Sequence, residues 1–455
     1  MHVKSHGLDL ICCSSIDPLL STCEFSSYCR FEECSCHLSL RDDFECSLNS
    51  TLDTPFSWKD HAVNPNPLPC MEANLPNNDV PYQLNILHWK PRKTRSFLTG
   101  ICELNVTSLS LRDISPEMGL IDFQSCLTSI QSIEINLKSL QTIDMYSMIE
   151  ASENLNSLRL VNVNFELWDN ISPWTQTISY FHIENSSITT LPKWLALSEN
   201  LQQLFMSHTN LNSISVVSQL SHLRSAKLSH NKINDLSKSV LNNRELYDLD
   251  LSHNLVSSIA SYTFINCPEL RVLDLSYNPL SSLPYKPFAK NTKLKWLKLD
   301  GTNIHTLSTD HFAGLTSLKT LSLSRTPLKV ISPYSFLPLK SLKMLNLEST
   351  NLTRVPAAVT QNCGLTHLNL ANNFLHRHTS LPPETLVMLS SLSQLQIDGN
   401  PLMEFPPSLL LLSKDNARLY RQLIQTMTTL PVWTKVSCTP YYWNLHLGNR
   451  QVMST

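Results

Sequence analysis

The chain has 455 residues, of which 78 are leucine, and its 35 basic and 37 acidic side chains give a formal net charge of −2. A chain this close to neutral has no global field that would attract nucleic acid or an anionic membrane surface, so we expect neither as a partner. Its eight glycines lie too far apart for a phosphate-binding loop or a dinucleotide-binding turn, which excludes both classes of nucleotide site.

The N-terminal segment, residues 1–54, is predicted to be a cysteine-rich cap. Ten of the thirteen cysteines lie between Cys12 and Cys126, and this density indicates oxidising conditions at that end of the chain. Residues 1–20 make a poor signal peptide, because two aspartates interrupt the apolar stretch. We interpret this as a true start upstream of Met1, and the alternative is a cytosolic protein.

The next segment, residues 55–104, contains two proline-rich stretches, at 64–70 and 74–81. Proline fixes its own φ and removes a backbone donor, which disfavours regular ladders. We therefore predict an irregular connection or degenerate repeats over these residues.

Residues 105–404 consist of a repeat that is visible once the leucines are aligned on the pattern L-x-x-L-x-L-x-x-N-x-L. The segments 246–256 and 270–280 follow this pattern closely and begin 24 residues apart. Thirteen units can be aligned, the first two more weakly than the rest. They open at Val106, Ile130, Leu155, Ile178, Leu201, Leu223, Leu246, Leu270, Leu294, Leu318, Leu342, Leu365 and Leu392.

Alternation of leucine with other residues places the leucines on one side of a short strand. One unit cannot bury that side, whereas stacked units can. The pattern therefore predicts an α/β-type repeat solenoid, a curved horseshoe with a parallel concave sheet. A phenylalanine stands 18 residues after the first leucine of four units and is predicted to fill the convex side, at Phe264, Phe288, Phe312 and Phe336.

The ninth position of the unit predicts a ladder of buried amides that satisfy backbone groups where the chain leaves the strand. Asparagine occupies it at Asn231, Asn254, Asn278, Asn373 and Asn400. A hydroxyl replaces the amide at Thr209, Thr302, Thr326 and Thr350. Because a hydroxyl offers fewer hydrogen bonds than an amide, we expect a weaker ladder from Thr302 to Thr350.

Residues 405–455 are predicted to form a C-terminal cap or tail that is partly helical, with a helix-like stretch at 408–427. The longest apolar candidate for a membrane span, Leu409–Leu412, is far shorter than the roughly 18 residues that a span needs. We therefore predict no membrane span in this chain.

The units resemble leucine-rich repeats, specifically the 24-residue phenylalanine-spine type of extracellular animal receptors and adhesion proteins, as in the Toll-like and Slit-like families. The resemblance covers about residues 106–402. It implies a protein-binding module, the ectodomain or secreted form of a receptor or adhesion protein, at the cell surface or outside the cell. Residues 399–407 instead resemble the ending of cytosolic leucine-rich-repeat scaffolds, so a cytoplasmic scaffold is the alternative.

The cysteine cluster at the N-terminus is similar to the cap of this family. The usual pairing of that cap would imply disulfides Cys29–Cys36 and Cys34–Cys46, although four cysteines allow three connectivities. Zinc bound through Cys29, Cys34, Cys36 and either His37 or Cys46 is the alternative, which we disfavour because no C-x-x-C pair is present.

Catalysis has no support in the sequence, because no nucleophile-elbow or zinc-protease motif occurs. We predict neither an enzyme, nor a cofactor, nor a metal site. His208, His230 and His253 occupy the eighth position of three successive units and would stack at strand spacing. We interpret them as ordinary strand exits; a pH sensor or a metal ladder is the alternative.

Five glycosylation sequons fit a secreted protein, at Asn49, Asn105, Asn170, Asn185 and Asn351. The chain is so rich in Asn, Ser and Thr that chance would supply as many, so they do not discriminate between compartments.

The third and fifth positions of each unit are predicted to face the concave side. Most of the aromatic and charged residues at these positions fall between the fourth and ninth units, whereas later units carry small or amide side chains. We predict that a protein ligand binds there, and a homodimer stays open as an additional assembly. The predicted contact residues are Tyr180, His182, Phe205, Lys227, Asp248, Asp250, Asp274, Trp296 and Lys298.

Overall fold

The computed structural model describes residues 45–50, 55–58, 82–87, 106–112, 129–142, 152–164, 173–402 and 408–409. The chain divides into two compact units, Met1–Leu273 and Asp274–Thr455. Of the four predicted cap cysteines, Cys29, Cys34 and Cys36 lie outside the described residues, and only the backbone of Cys46 is described. The two disulfides therefore stay a prediction, and most of the predicted C-terminal helix also lies outside the described part.

The first unit begins with a hairpin of β1 (Glu45–Ser50) and β2 (Pro55–Trp58), which pair antiparallel. On its other side β1 pairs antiparallel with β3 (Tyr82–Leu87). Strand β3 in turn pairs in parallel with β4 (Val106–Arg112), and the two strands begin 24 residues apart. Within the segment predicted as an irregular connection or degenerate repeats, the strand β3 thus joins the parallel ladder at the repeat spacing.

The parallel ladder of the first unit continues through β10, each strand pairing with the next. Its members are β5 (Ser132–Thr142), β6 (Ser157–Asn164), β7 (Tyr180–Glu184), β8 (Gln203–Ser207), β9 (Ser225–Lys227) and β10 (Asp248–Asp250). At the end of the unit the N–H of Val272, in β11 (Val272–Asp274), donates to the carbonyl of Tyr247 at 3.0 Å.

The second unit contains a parallel ladder of five strands in chain order. They are β12 (Trp296–Lys298), β14 (Thr320–Ser322), β16 (Met344–Asn346), β17 (His367–Asn369) and β18 (Gln394–Gln396). On the return segments, β13 (Thr306–Leu307) and β15 (Val330–Ile331) form a separate two-stranded parallel ladder. Each of the thirteen predicted repeats has a described strand at its leucine pattern, so the predicted parallel repeat solenoid is confirmed.

The segments that return between strands contain little helix. Among the described residues there is one α-helix, α1 (Pro383–Val387), and none there is long and apolar enough to cross a membrane. Most other helical turns are of the 3-10 type, at Pro173–Gln176, Lys193–Leu197, Val217–Gln219, Thr309–Phe312, Ala357–Gln361 and His378–Ser380.

The leucines of the repeat form the core of each unit, as predicted. On β10, Leu249 is buried between the half-buried Asp248 and Asp250, and β11, β12, β16, β17 and β18 show the same alternation. On β9 and β14 a serine, Ser225 or Ser322, is buried as well. The four predicted phenylalanines are fully buried, at Phe264, Phe288, Phe312 and Phe336. In the second unit the rings of Phe312 and Phe336 lie 6.0 Å apart, so the predicted phenylalanine spine is confirmed.

The ninth-position asparagines form the predicted ladder. Asn254 Nδ2 donates to the carbonyls of Leu228, Leu251 and Ser252 at 2.9, 3.0 and 3.2 Å, while its Oδ1 accepts the N–H of Ile233 at 3.0 Å. The Thr302 hydroxyl, in contrast, donates to one carbonyl, that of Leu299, at 2.8 Å. At Thr302 the hydrogen bonding is therefore weaker than at Asn254, as expected. Thr326 is intermediate, because its hydroxyl lies within hydrogen-bond distance of two carbonyls, those of Leu299 and Ser324.

The eighth position has a property that the sequence did not reveal. Its backbone lies in the left-handed region in eleven successive repeats. Glycine or asparagine favours this region, yet most of these positions carry other side chains. The residues are Asn162, Asn185, His208, His230, His253, Tyr277, Gly301, Arg325, Ser349, Asn372 and Gly399, with φ between 51° and 70°. The turn that closes each strand imposes this φ regardless of residue type.

A second column of hydrogen bonds runs near the end of the return segments. Asn243 Nδ2 donates to the carbonyls of Val217 and Leu220, at 2.9 and 2.6 Å. Cys267 takes the corresponding place in a later repeat, where its Sγ lies 3.5 Å from the carbonyl oxygen of Leu241. Burial raises the pKa of the Cys267 thiol to about 11, so this cysteine is a structural thiol.

Candidate protein-binding face

The predicted contact residues lie on the third and fifth positions of their strands, opposite the buried leucines. We call the surface that these positions form the strand face, and describe it for each unit separately. The first unit carries Tyr180, His182, Phe205, Lys227, Asp248 and Asp250, on β7 to β10. The second unit carries Asp274, Trp296 and Lys298, on β11 and β12.

Three aromatic side chains of the first unit form one cluster. The ring of Phe205 meets Tyr180 edge-on at a centroid distance of 5.4 Å and His182 at 5.7 Å. Edge-to-face contacts of this kind stabilise aromatic pairs. Phe205, one of the predicted contact residues, is therefore half-buried by its neighbours. The surface feature is the cluster of three rings and not the single ring of Phe205.

His182 lies at the centre of a short hydrogen-bonded chain. Its Nδ1 is 3.0 Å from the Tyr180 hydroxyl and its Nε2 is 3.3 Å from Glu184 Oε2. Burial lowers the pKa of His182, the Arg159 charge lowers it further, and the bond to Glu184 opposes both. Burial also raises the pKa of Tyr180. The cluster is thus neutral at its aromatic centre and charged at its border.

An ion-pair network borders the aromatic cluster on β4 to β6, and the predicted site did not include it. Glu134 accepts from Arg159 Nη1 at 3.4 Å and lies 3.6 Å from Arg112 Nη2. The Ser110 hydroxyl also donates to Glu134, at 3.4 Å. Reading the fifth and seventh positions of the two weakest repeats would have found Glu134 and Arg112.

The predicted charges of the strand face are largely paired within the protein. In the first unit Lys227 Nζ lies 2.7 Å from the Asp248 carboxylate, and Asp250 accepts the N–H of Ser252 at 2.9 Å. In the second unit Lys298 lies 3.0 Å from Asp274.

Asp274 also accepts the N–H of Ser276 at 3.0 Å. Asn346 and Asn369 make the same bond to the N–H two residues ahead, at 3.1 and 2.9 Å. Fifth-position Asp and Asn therefore have a structural role that sequence reasoning missed. Trp296 differs from them, because 41 % of it is exposed on the strand face.

The three histidines of the eighth position stack in a column, as their spacing suggested. The ring centroids of His208 and His230 are 4.2 Å apart, those of His230 and His253 are 4.1 Å apart, and the rings are nearly parallel. Burial and the two neighbouring imidazoles lower the pKa of His230. Within the described part of the chain, no three His, Cys, Asp or Glu side chains are placed to hold a metal ion.

Two of the five sequons fall on described residues. Asn185 and Asn351 are both exposed. Asn105 and Asn170 lie outside the described residues, and of Asn49 only the backbone is described, so glycosylation stays a prediction.

Part of the repeat region matches a known family model. The model described as leucine rich repeat matches residues 244–304 and 292–352, where the buried leucines, the asparagine ladder and the phenylalanine spine all occur. Residues 244–352 are leucine-rich repeats. This confirms the predicted resemblance of the repeats to that family.

Solved leucine-rich-repeat structures share its fold. The ectodomain of the Arabidopsis thaliana membrane receptor kinase GASSHO1/SCHENGEN3 is 21 % identical, with a TM-score of 0.54 over 69 % of this chain and 38 % of that one. Mouse RP105, solved in complex with MD-1, is 21 % identical, with a TM-score of 0.52 over 73 % of this chain and 54 % of that one.

Among curated proteins, the probable serine/threonine-protein kinase pats1 of Dictyostelium discoideum is 25 % identical over 180 residues. This chain matches 6 % of the length of that kinase, and the matched part is the repeats. The similarity therefore concerns the repeat architecture of the two proteins and not a catalytic domain.

Acidification is expected to destabilise this leucine-rich-repeat protein through its histidines. The folded pKa values of His182, His230 and His311 all lie below the unfolded value of 6.5. The unfolded chain therefore binds more protons as the pH falls below about 6.5, so the histidine contribution is complete above that pH and is lost below it. We expect the melting temperature to fall between about pH 7 and 5.5, and less steeply in His182→Gln. An unchanged slope in that variant would exclude His182 as a contributor.

Proposed function

We propose that this leucine-rich-repeat protein binds another protein through its strand face, as the ectodomain or secreted form of an extracellular receptor or adhesion protein. The observation that carries the proposal is the placement of aromatic side chains on third and fifth positions, where the fold does not need them. The first unit supports it with the Tyr180–His182–Phe205 cluster, and the second with the exposed Trp296. Aromatic residues are enriched among those that dominate protein interfaces.

The solved structures of similar fold are consistent with this function. The Arabidopsis thaliana ectodomain was solved with CASPARIAN STRIP INTEGRITY FACTOR 2, and mouse RP105 with MD-1. Both were therefore solved in complex with a partner, and the plant protein is a membrane receptor kinase. The N-terminal cysteine cluster fits the same compartment.

A cytosolic leucine-rich-repeat scaffold is the second candidate. Its specific support is the resemblance of residues 399–407 to the ending of cytosolic leucine-rich-repeat scaffolds. Both candidates bind protein, so they differ in compartment rather than in mechanism. Alkylation of Cys29, Cys34, Cys36 and Cys46 without prior reduction would favour the scaffold, because a secreted cap holds these sulfurs in disulfides.

Truncating the two aromatic sites is expected to abolish partner capture. In Phe205→Ala plus Trp296→Ala, each truncation of an interface anchor typically costs about 2 kcal/mol or more, which is at least about thirtyfold in affinity. Partner capture from a secretory-cell extract and quantitative binding of each captured partner provide the measurement. Because Phe205 packs on Tyr180 and His182, a modest drop in melting temperature should accompany the loss.

The matched control is Gln394→Ala plus Gln396→Ala, on the third and fifth positions of β18. These half-buried polar side chains occupy equivalent positions at the other end of the second unit, and we expect the control to retain every partner. If the aromatic pair remains folded and captures the same partners as the parent, the strand-face site is wrong.

A further inference from the structure

The near-neutral whole chain conceals a local excess of positive charge. Over the described residues 274–402 of the second unit there are twelve lysines and arginines against six aspartates and glutamates, a net charge of +6. Salt screens exposed charges beyond a Debye length, about 8 Å at physiological salt. The local arrangement of the lysines and arginines therefore decides what this surface attracts. In the second unit the arrangement follows the repeat.

Three lysines occupy the second position of three consecutive repeats and lie side by side. The N–H of Lys319 donates to the carbonyl of Lys295 at 2.9 Å, and the N–H of Lys343 donates to the carbonyl of Lys319 at 2.9 Å. We call Lys295, Lys319 and Lys343 the lysine row. Adjacent members are separated by the strand spacing, about 4.8 Å. Lys319 and Lys343 are exposed and Lys295 is half-buried.

Within the described residues, no carboxylate forms an ion pair with the lysine row. Lys343 Nζ donates to the carbonyl of Gly364 at 3.1 Å. The acidic residues of the same repeats lie after the strands and have other partners. Asp300 accepts the N–H of Ser324, and Glu348 accepts from Asn369 and Asn372. Since Lys295 and Asp300 are five residues apart along an extended segment, about 16 Å separates their backbones. The lysine row therefore keeps its charge available to solvent.

An apolar row runs directly beside the lysine row, on the third positions. Trp296 pairs with Thr320, and Thr320 pairs with Met344, in the parallel register. Trp296 is 41 % exposed and Met344 is 44 % exposed. Two unlike surfaces, one cationic and one apolar, thus extend in parallel across the same three strands. This combination distinguishes the segment from a lysine-rich surface that is merely solvated.

We propose that the lysine row, with Trp296 and Met344, binds an acidic segment of a protein partner in which carboxylates alternate with apolar side chains. When an extended peptide lies across β12, β14 and β16, every second side chain points to the same edge, at intervals of about 6.6 to 6.8 Å. The three lysines of the row span about 9.6 Å, so they can contact two carboxylates on that edge of the peptide. The proposal rests on the proposed function and gives the partner its chemistry.

A peptide fits this surface better than a nucleic acid. Met344 offers thioether and methylene groups that suit an aliphatic side chain, whereas a run of bases needs successive aromatic rings for stacking. Trp296 is followed by Thr320 and Met344 and not by further rings. The cationic row is also short, and spans a few carboxylates rather than a long phosphate backbone.

The test uses the full chain and a fluorescein-labelled peptide that alternates glutamate with leucine, followed by fluorescence anisotropy. The variant Lys295→Gln, Lys319→Gln, Lys343→Gln is expected to raise the Kd about tenfold or more, with the melting temperature of the parent. The control Lys290→Gln, Lys329→Gln, Lys340→Gln removes the same charge from exposed lysines of the same unit, and should change the Kd less than about twofold. Parent binding should also weaken from about 50 to 300 mM salt.

Three results would overturn the proposal: equal losses in both triple variants, equal binding of a peptide with glutamine for glutamate, or tighter binding of a single-stranded oligonucleotide of equal charge. The outcome is separable from that of the proposed function. If the lysine-row variant keeps every captured partner while Phe205→Ala plus Trp296→Ala loses them, the strand face binds protein and the acidic-segment proposal is wrong.

Discussion

Phe312→Ala is expected to lower the free energy of unfolding of the second unit by about 3 to 5 kcal/mol, the range for emptying a buried phenylalanine site. Phe312 is fully buried, at the end of a 3-10 turn, with the Phe336 ring 6.0 Å away. Return segments of neighbouring repeats pack against each other there, so collapse into the cavity would require several turns to shift. Guanidinium denaturation followed by tryptophan fluorescence and circular dichroism gives the measurement.

Phe374→Ala provides the control for this prediction in the same unit. Its side chain is 55 % exposed, so the same truncation should cost about 0.5 kcal/mol or less. Equal midpoints for the parent and Phe312→Ala would show that the spine does not support the fold. Because repeats interact with their neighbours, a broadened transition in the variant would indicate that the second unit unfolds separately.

Asn254→Ala is expected to lower the free energy of unfolding of the first unit by roughly 3 kcal/mol. It removes three donated bonds and one accepted bond, and leaves buried carbonyls and the N–H of Ile233 unpaired, each at about 1 kcal/mol or more. Asn254→Thr should cost less, because threonine stands at the same position in other repeats and its hydroxyl keeps a bond, as at Thr302.

Asn234→Ala is the matched control, since Asn234 is exposed and belongs to the preceding repeat. It should leave the denaturation midpoint within about 0.5 kcal/mol of the parent. If Asn254→Ala behaves like Asn234→Ala, buried water rather than the amide satisfies these backbone groups, and the ladder has no energetic role.

The fold could be predicted from the sequence, because the repeat recurs many times and each position of the repeat has the same structural role. The alternation of leucine with other residues determined each strand. The spacing of 22 to 27 residues between repeats determined that the strands stack in register. The same periodicity located Phe312 in the core and Asn254 in the turn, because identical positions in a stack have identical environments. The left-handed eighth position was missed, because residues as different as His253, Tyr277 and Arg325 occupy it.

The candidate site was only partly accessible in this way. Position in the repeat identified which side chains lie on the strand face, including Tyr180 and Trp296. It did not identify which of them pair with each other, because Lys227–Asp248 and Asp274–Lys298 depend on side-chain directions across neighbouring strands. Consequently the predicted charged contacts are mostly internal ion pairs, and the unpaired lysine row lies one position earlier in the repeat.

By itself, the sequence determined the parallel solenoid, its leucine core, the phenylalanine spine and the asparagine ladder, since each depends on spacing along the chain. Only the tertiary structure decided that Phe205 is covered by Tyr180 and His182, and that Lys295, Lys319 and Lys343 have no carboxylate partner among the described residues. The physical reason is the distance over which each property is set. Burial in a stack of repeats follows from the repeat spacing along the chain. Ion pairing and exposure on the surface depend on distances of a few ångströms between side chains of different repeats.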